Sequence, residues 1–419
     1  RDALLAEMTD DVAAHVLQDN YRQTLALSIA ESDAAGEIDA HQRLIRSLEA
    51  KGKLDRPVEF LPDDAAIQAL KGAGQGLTRP ELAVLLAYAK IDLNEALLES
   101  AVPEDPAFAD DLAGYFPPPV RARFAAEIQN HRLRRELVAT LLCNDIVNRA
   151  GPDFVQGIAE ASGAGLAAVA RAAAMATGAF RLADLYERIN ALDGKVPAAA
   201  QIQIHRDTIE LMRRETIWML RNVAPDAPID QTIARYRAGI DTLKGTFSGL
   251  VSPLERDAVT ARIAKLQQAG VPDDLADEAG ALPLFATVAD MVSLAGETGI
   301  PLDAVAGAYF AAGATLGIDR LREQAARITP SGHWDALSLT RIEDDLFAIQ
   351  RLVAAKALKG VAATDATREQ GAAAVSAWAD SARAGIARAQ ALIAELERDG
   401  AFTPAKLALG AAQLRDLAM

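Results

Sequence analysis

The chain has 419 residues, a formal net charge of −15, a pI near 4.9 and one cysteine. That length allows two or three domains with ample core, the acidity excludes a general nucleic-acid or anionic-membrane surface, and the lone Cys143 excludes an internal disulfide and fits a reducing compartment. Hydrophobic residues reach 51% while aromatics are only 5%. Alanine fills much of that gap, and an Ala/Leu/Glu/Arg-rich chain loses little side-chain entropy on forming helix, so the expected class is all-α.

In chain order, residues 2–34 read as one amphipathic helix with Leu4, Leu5, Met8, Val12, Val16, Leu25 and Ile29 on its apolar face. "RPVEFLP" (56–62) is the only strand-like piece and is too short to build a sheet. Pro62-Asp63-Asp64 starts a helix, and Pro103 and Pro106 bracket a turn. Pro117-Pro118-Pro119 precede a long helix, 119–149, that ends at Gly151-Pro152. Two stretches then carry sustained 3-4 spacing. Ile202, His205, Ile209, Met212, Thr216, Met219 and Val223 stripe one helix, and Ile229, Ile233, Tyr236, Ile240, Leu243 and Phe247 the next. With "APDAP" (224–228) between them they predict a long antiparallel hairpin with a coiled-coil-like seam. A second hairpin follows. Leu339, Ile342, Leu346, Ile349 and Val353 form one arm; after the 360–366 connection, Val375, Trp378, Ala382, Gly385, Ala389, Leu392 and Leu396 form the other. Thr403-Pro404 starts the last helix.

Residues 162–185 align without gaps on 298–321 at an offset of 136, with Gly163/Gly299, Leu166/Leu302, Val169/Val305, Ala170/Ala306, Ala172/Ala308 and Leu185/Leu321 identical. A hairpin follows each segment, which makes the pattern an internal helical duplication. The expected architecture is a multi-helix array divided into 1–150, 151–250 and 251–419. No apolar run reaches the ~18 residues of a membrane-crossing helix, and no signal peptide opens the chain. A start at Arg1 that runs directly into a helix reads as a piece cut from a longer polypeptide.

The chemistry-bearing candidates are few. "KGAGQGLTRPEL" (71–82) looks like a phosphate cradle, but a dinucleotide fingerprint needs a strand before it and a glycine at the position of Leu77, and a Walker loop needs Gly-Lys-Ser/Thr. The downstream half fits a capping box instead, with Thr78 at the N-cap, Glu81 at N3 and Leu77 and Leu82 as the staple. The stretch therefore reads as a joint between helices, with anion binding at Thr78–Arg79 as the sharper alternative. The histidines, His15, His41, His131, His205 and His333, show no metal-ligand spacing. His205 reads as a hydrogen-bonded core histidine on a seam, and Cys143 as a small core residue. His131, Arg132, Arg134 and Arg135 form a basic cluster, with Arg132–Glu136 an i,i+4 pair; its readings are a solvated or interface face and an anion or effector site. The carboxylates at 9–11, 272–274 and 343–345 sit at caps and on helix faces. No residue is assigned a catalytic, cofactor-binding or metal-binding role.

Four stretches together carry a resemblance: "LLAEMTDDVAAHVLQDNYRQTLALSIAE" (4–31), "GLTRPELAVLLAYAKIDL" (76–93), "YFPPPVRARFAAEIQNHRLRRELVATLLCNDIVNRAG" (115–151) and "RETIWMLRN" (214–222). They resemble the C-terminal helical region of the large bacterial NAD-specific glutamate dehydrogenases, specifically over 1–222 and more loosely beyond. The resemblance implies oxidative deamination of L-glutamate to 2-oxoglutarate by the whole enzyme, with NAD bound by an upstream domain whose lysine, carboxylate and Gly-rich loop have no counterpart here. It implies a cytoplasmic, non-catalytic segment that packs on its own catalytic domain and supports a homo-oligomer, with no nucleic-acid or membrane partner. The helix at 2–34 then follows the dinucleotide lobe and is expected to couple it to the tail, Asn20 and Tyr21 being its polar handles. The alternatives are an independent helical scaffold and an effector-sensing module.

Overall fold

A computed structural model describes residues 2–361 and 365–419, so the middle of the 360–366 connection lies outside the described residues. Every regular element among them is helical: 22 α-helices and three short 3-10 turns. The protein is all-α. It forms two compact units that divide between Ala234 and Arg235, so the segments 1–150 and 151–234 share one unit.

The first unit contains α1 (Asp2–Ser32), α2 (Ile38–Ala50), α3 (Asp64–Gly72), α4 (Arg79–Leu98), α5 (Ala109–Gly114), α6 (Pro118–Arg123), α7 (Ala125–Gln129), α8 (Arg134–Ala150), α9 (Phe154–Ser162), α10 (Leu166–Ala179), α11 (Leu182–Asn190) and α12 (Ala198–Asn222). The start of α13 (Ile229–Leu243) also belongs to it. Its centre is α10, which packs against α4, α8, α9, α11 and α12. Alanine makes that possible. Ala170, Ala172, Ala173, Ala176 and Ala179 are buried along α10 and leave room for neighbours on several sides. The larger side chains come from those neighbours, with Leu82, Leu85 and Leu93 of α4 and Val138, Ile146 and Val147 of α8 at most 1% exposed. Each such burial contributes about 1.5–3 kcal/mol.

The second unit holds the rest of α13 and α14 (Pro253–Gln268), α15 (Asp273–Phe285), α16 (Val288–Thr298), α17 (Leu302–Leu316), α18 (Ile318–Ala326), α19 (His333–Leu358), α20 (Arg368–Ser381), α21 (Arg383–Arg398) and α22 (Pro404–Ala418). Here α17 takes the central place, against α16, α18, α19 and α20. The α17–α20 crossing is backbone to backbone. A Cβ on Gly307 would lie 2.2 Å from the Arg368 carbonyl oxygen, and one on Gly371 would lie 1.9 Å from that of Ala304. Only glycine fits either place.

The aligned segments share their backbone stops. Gly163 and Gly299 end α9 and α16 in the left-handed conformation, at φ +74° and +71°. Arg181 and Gly317, again 136 apart, separate the next two helices at φ +51° and +70°. The pairs in contact also correspond: α9, α10, α11 and α12 touch one another as α16, α17, α18 and α19 do.

Several sequence expectations change. Of the stripe on α12, His205, Met212, Thr216 and Met219 are buried while Ile202, Ile209 and Val223 are half-buried. The buried face runs instead through Ile204, Thr208, Leu211 and Glu215, and its main packing partner is α10 rather than the helix that follows it. The stripe on α13 serves two cores. Ile233 packs on Gly178 of α10 in the first unit, and Tyr236, Ile240, Leu243 and Phe247 are buried in the second, where Phe247 stacks edge-on to Phe285 and Phe310. The 119–149 helix is three helices, because local side-chain bonds compete with the helical ladder. Asn130 Nδ2 donates to the Ala126 carbonyl at 2.8 Å, and His131 Nδ1 accepts from the Leu133 N–H at 3.2 Å. The arm 375–396 breaks at Ala382, where the Ser381 hydroxyl donates to the Trp378 carbonyl at 2.6 Å. After the break the buried face becomes Ile386, Ala389 and Ile393. Residues 56–62 form a turn, not a strand.

Candidate functional site

The glycine-rich stretch is a joint. Gly74 takes the left-handed position after α3 at φ +67°, and the Gln75 N–H returns to the Leu70 carbonyl at 2.9 Å. A Cβ on Gly76 would lie 2.1 Å from the Ala34 carbonyl carbon, so the loop lies directly on the turn after α1. The Glu81 carboxylate accepts from the Thr78 N–H at 2.6 Å and from its hydroxyl at 2.7 Å, the capping box expected. Arg79 donates to Ser28 Oγ at 3.1 Å, Glu31 at 2.9 Å and the Thr24 carbonyl at 3.0 Å, and Pro80 has no N–H to offer. The Thr78 N–H and hydroxyl are taken up by Glu81, and the Arg79 guanidinium ties α4 to α1.

The basic cluster does not converge either. Arg135 donates to Glu104 and to the Leu98 and Ser100 carbonyls, closing the C-terminal end of α4. The His131 ring lies 5.9 Å from that of Phe116, Arg132 is exposed, and the half-buried Arg134 starts α8. Asp345 pairs with Arg415, and Asp273 accepts from Gln267 at 3.0 Å. Among the described residues no group of three or more His, Cys, Asp or Glu side chains is placed to hold a metal ion.

His205 is fully buried in α12 and stacks on Tyr186 at 5.3 Å and 27°. Neither of its ring nitrogens has a hydrogen-bond partner among the described residues, which corrects the expected hydrogen-bonded histidine. Burial pushes its pKa down to about 4, so the ring is neutral near pH 7. Arg149 lies 5.0 Å over the Tyr186 ring. The Cys143 thiol donates to the Lys90 carbonyl at 3.1 Å, and burial raises its pKa to about 12. It is therefore a protonated thiol near pH 7. The side chain of His333 lies outside the described residues.

Two features escaped the sequence reading. Glu37 and the buried His41 lie near Asp33 and Asp153. Burial, then the Asp153 charge, push the Glu37 carboxyl up to about 7. Asp33, Glu37 and His41 come from the α1–α2 connection and the first turn of α2 at a spacing of four, but no local sequence signal joins Asp153, at the start of α9, to them. The turn at 55–61 did have a signal, since Asp55 two residues before Pro57 marks a helix start.

Family membership rests on comparison. A model of the family described as "Glutamate dehydrogenase, C-terminal" matches residues 74–416. The chain belongs to this family. Over 418 residues it is 36% identical to a Pseudomonas aeruginosa protein named NAD-specific glutamate dehydrogenase, covering all of this chain and 26% of the relative. Proteins of the same name from Halomonas elongata and Mycobacterium tuberculosis are 36% and 30% identical, over 85% and 99% of this chain and 22% and 25% of their own lengths. The chain thus spans about a quarter of the curated relatives it matches. No single helix among the described residues is long and apolar enough to cross a membrane.

Proposed function

We propose that this chain is a non-catalytic helical part of an NAD-dependent glutamate dehydrogenase of the cytoplasm. The whole enzyme would convert L-glutamate, NAD and water to 2-oxoglutarate, ammonium and NADH, with NAD bound by a domain outside these residues. The carrying observation is the family match across 74–416, together with relatives of that name that match the whole chain over only a quarter of their own length. The engaged donors at Thr78 and Arg79 support the non-catalytic part of the reading.

Its role is to support the catalytic domain and homo-oligomer assembly. The outer part of α1 is suited to the coupling task, since Leu5, Val12, Val16 and Leu17 are exposed along it and Asn20 is exposed beside them. The aligned left-handed stops and corresponding helix contacts support an internal duplication within the segment.

Titration of the purified 419-residue chain with NAD, by calorimetry or nicotinamide fluorescence, tests this reading. No micromolar binding and no glutamate-dependent NADH formation are expected, while the longer polypeptide forms NADH. Either activity in the chain alone overturns the reading.

A further inference from the structure

Residues 55–61 make one helical turn that buries Leu61 and turns Val58 and Phe60 outward. The Asp55 carboxylate accepts from the Val58 N–H at 3.4 Å, and the Glu59 N–H reaches the Asp55 carbonyl at 3.1 Å. The Leu61 N–H then reaches back to the Arg56 carbonyl at 3.0 Å. That bond closes the turn as a helix C-terminus is closed, and it requires a left-handed residue just before Leu61. The residue is Phe60, at φ +55°. Glycine ordinarily takes such a position because a Cβ crowds the following carbonyl. A large side chain there would be accounted for by packing inside the chain, yet Phe60 is 88% exposed and Val58 65%.

The turn is held rigidly. Buried Arg56 donates to Glu49 at 2.7 Å and Asp64 at 2.8 Å, and the Tyr88 hydroxyl donates to Glu59 at 2.6 Å. The chain leading into it is fixed by Lys51 and Lys53, each 2.6 Å from an oxygen of Asp92. Ile91, three residues beyond Tyr88 and so on the same face of α4, is 46% exposed. A pre-fixed aromatic loses little entropy on docking and brings a large apolar area. Backbone strain of this kind persists where surrounding contacts enforce it, and it gathers at functional positions.

We propose that the 55–61 turn is a docking anchor, with Phe60 at its centre, Val58 in the same turn and Ile91 on the α4 face that carries Tyr88, and that it seats in an apolar cleft of the dehydrogenase polypeptide outside these 419 residues. The choice of occupant rests on the functional reading above and on length, because relatives matching the whole chain are about four times as long. An apolar cleft is specified because Arg56 and Glu59 are already paired within the chain.

The test places a benzoylphenylalanine photocrosslinker at position 60 of the full-length gene product and maps the joined peptides. Hydrogen exchange of 55–61 is compared between the unmodified full-length protein and the 419-residue chain. Expected are cross-links to peptides outside the 419 residues and at least tenfold slower exchange in the full-length protein. Phe60→Gly should abolish that slowing while leaving the unfolding midpoint of the 419-residue chain unchanged or raised. Cross-links only within these residues or to a second copy, or equal exchange in both proteins, overturn the anchor. Glutamate-dependent NAD reduction by the same full-length sample separates the two readings. Activity with no outside cross-link sinks the anchor alone, and an outside cross-link without activity sinks the functional reading while the anchor stands.

Discussion

His205 should give the first unit an acid-sensitive stability that one substitution removes. In the unfolded chain the imidazole takes up a proton near pH 6.5; in the folded chain burial refuses it until about pH 4. Between those values the unfolded state binds more protons, so stability falls as pH falls and is fully retained above about 6.5. The whole interval corresponds to roughly 3 kcal/mol, at about 1.4 kcal/mol per pH unit. His205→Phe keeps an aromatic ring against Tyr186 and removes the titration. Urea unfolding at several pH values, read from Trp218 in a Trp334→Phe/Trp378→Phe background, isolates the first unit. The difference between the two curves should change steadily in the variant's favour as pH falls from 7 to 5, because only the wild type loses stability through this group. Curves that stay parallel over that range would refute a neutral, buried His205.

Three further outcomes are expected. Gly371→Ala should destabilise the second unit by about 2 kcal/mol, since its Cβ meets the Ala304 carbonyl of a helix that cannot withdraw, whereas Gly72→Ala, with open space around it, should be neutral or stabilising in chemical denaturation. Thr78→Ala, which removes the hydroxyl bond to Glu81 and keeps the backbone one, should cost roughly 0.5–2 kcal/mol in unfolding free energy, while turnover per folded molecule of the longer enzyme stays the same; lost turnover with intact stability would restore an anion role. Asn20→Asp, on the exposed part of α1, should alter turnover, glutamate dependence or oligomer size of the longer enzyme, and if all three hold steady α1 is a passive tether.

The helix starts were legible because caps are local. Asp63 accepts from the Ala66 N–H at 2.8 Å and Thr403 from the Lys406 N–H at 3.3 Å, each where the residue types indicated. Burial on a stripe was legible for the same reason, as at Leu346 and Val353, both 0% exposed. What a stripe packs against was not. The seam of α12 meets α10, a helix of small residues whose pattern is masked by alanine on every face. Long helices were overcounted because periodicity survives a break: Val375 and Ala389 keep helical spacing across Ala382, where packing partners change. The joint at 71–82 was readable from Thr78 and Glu81. The approach of Asp153, Arg206 and Arg213 to Glu37 was not, since distant stretches of chain supply them.

The left-handed residues at 163 and 181, and again at 299 and 317, stand eighteen positions apart in both places. Each pair sets a fixed angular phase along the helix between them. One inserted residue would carry the second stop about 100° around the axis and ~1.5 Å along it, aiming α11 or α18 away from the face it now covers. Drift in chain length should therefore collect outside these intervals, in connections such as 191–197 and 327–332, while the two central helices change their side chains but not their length.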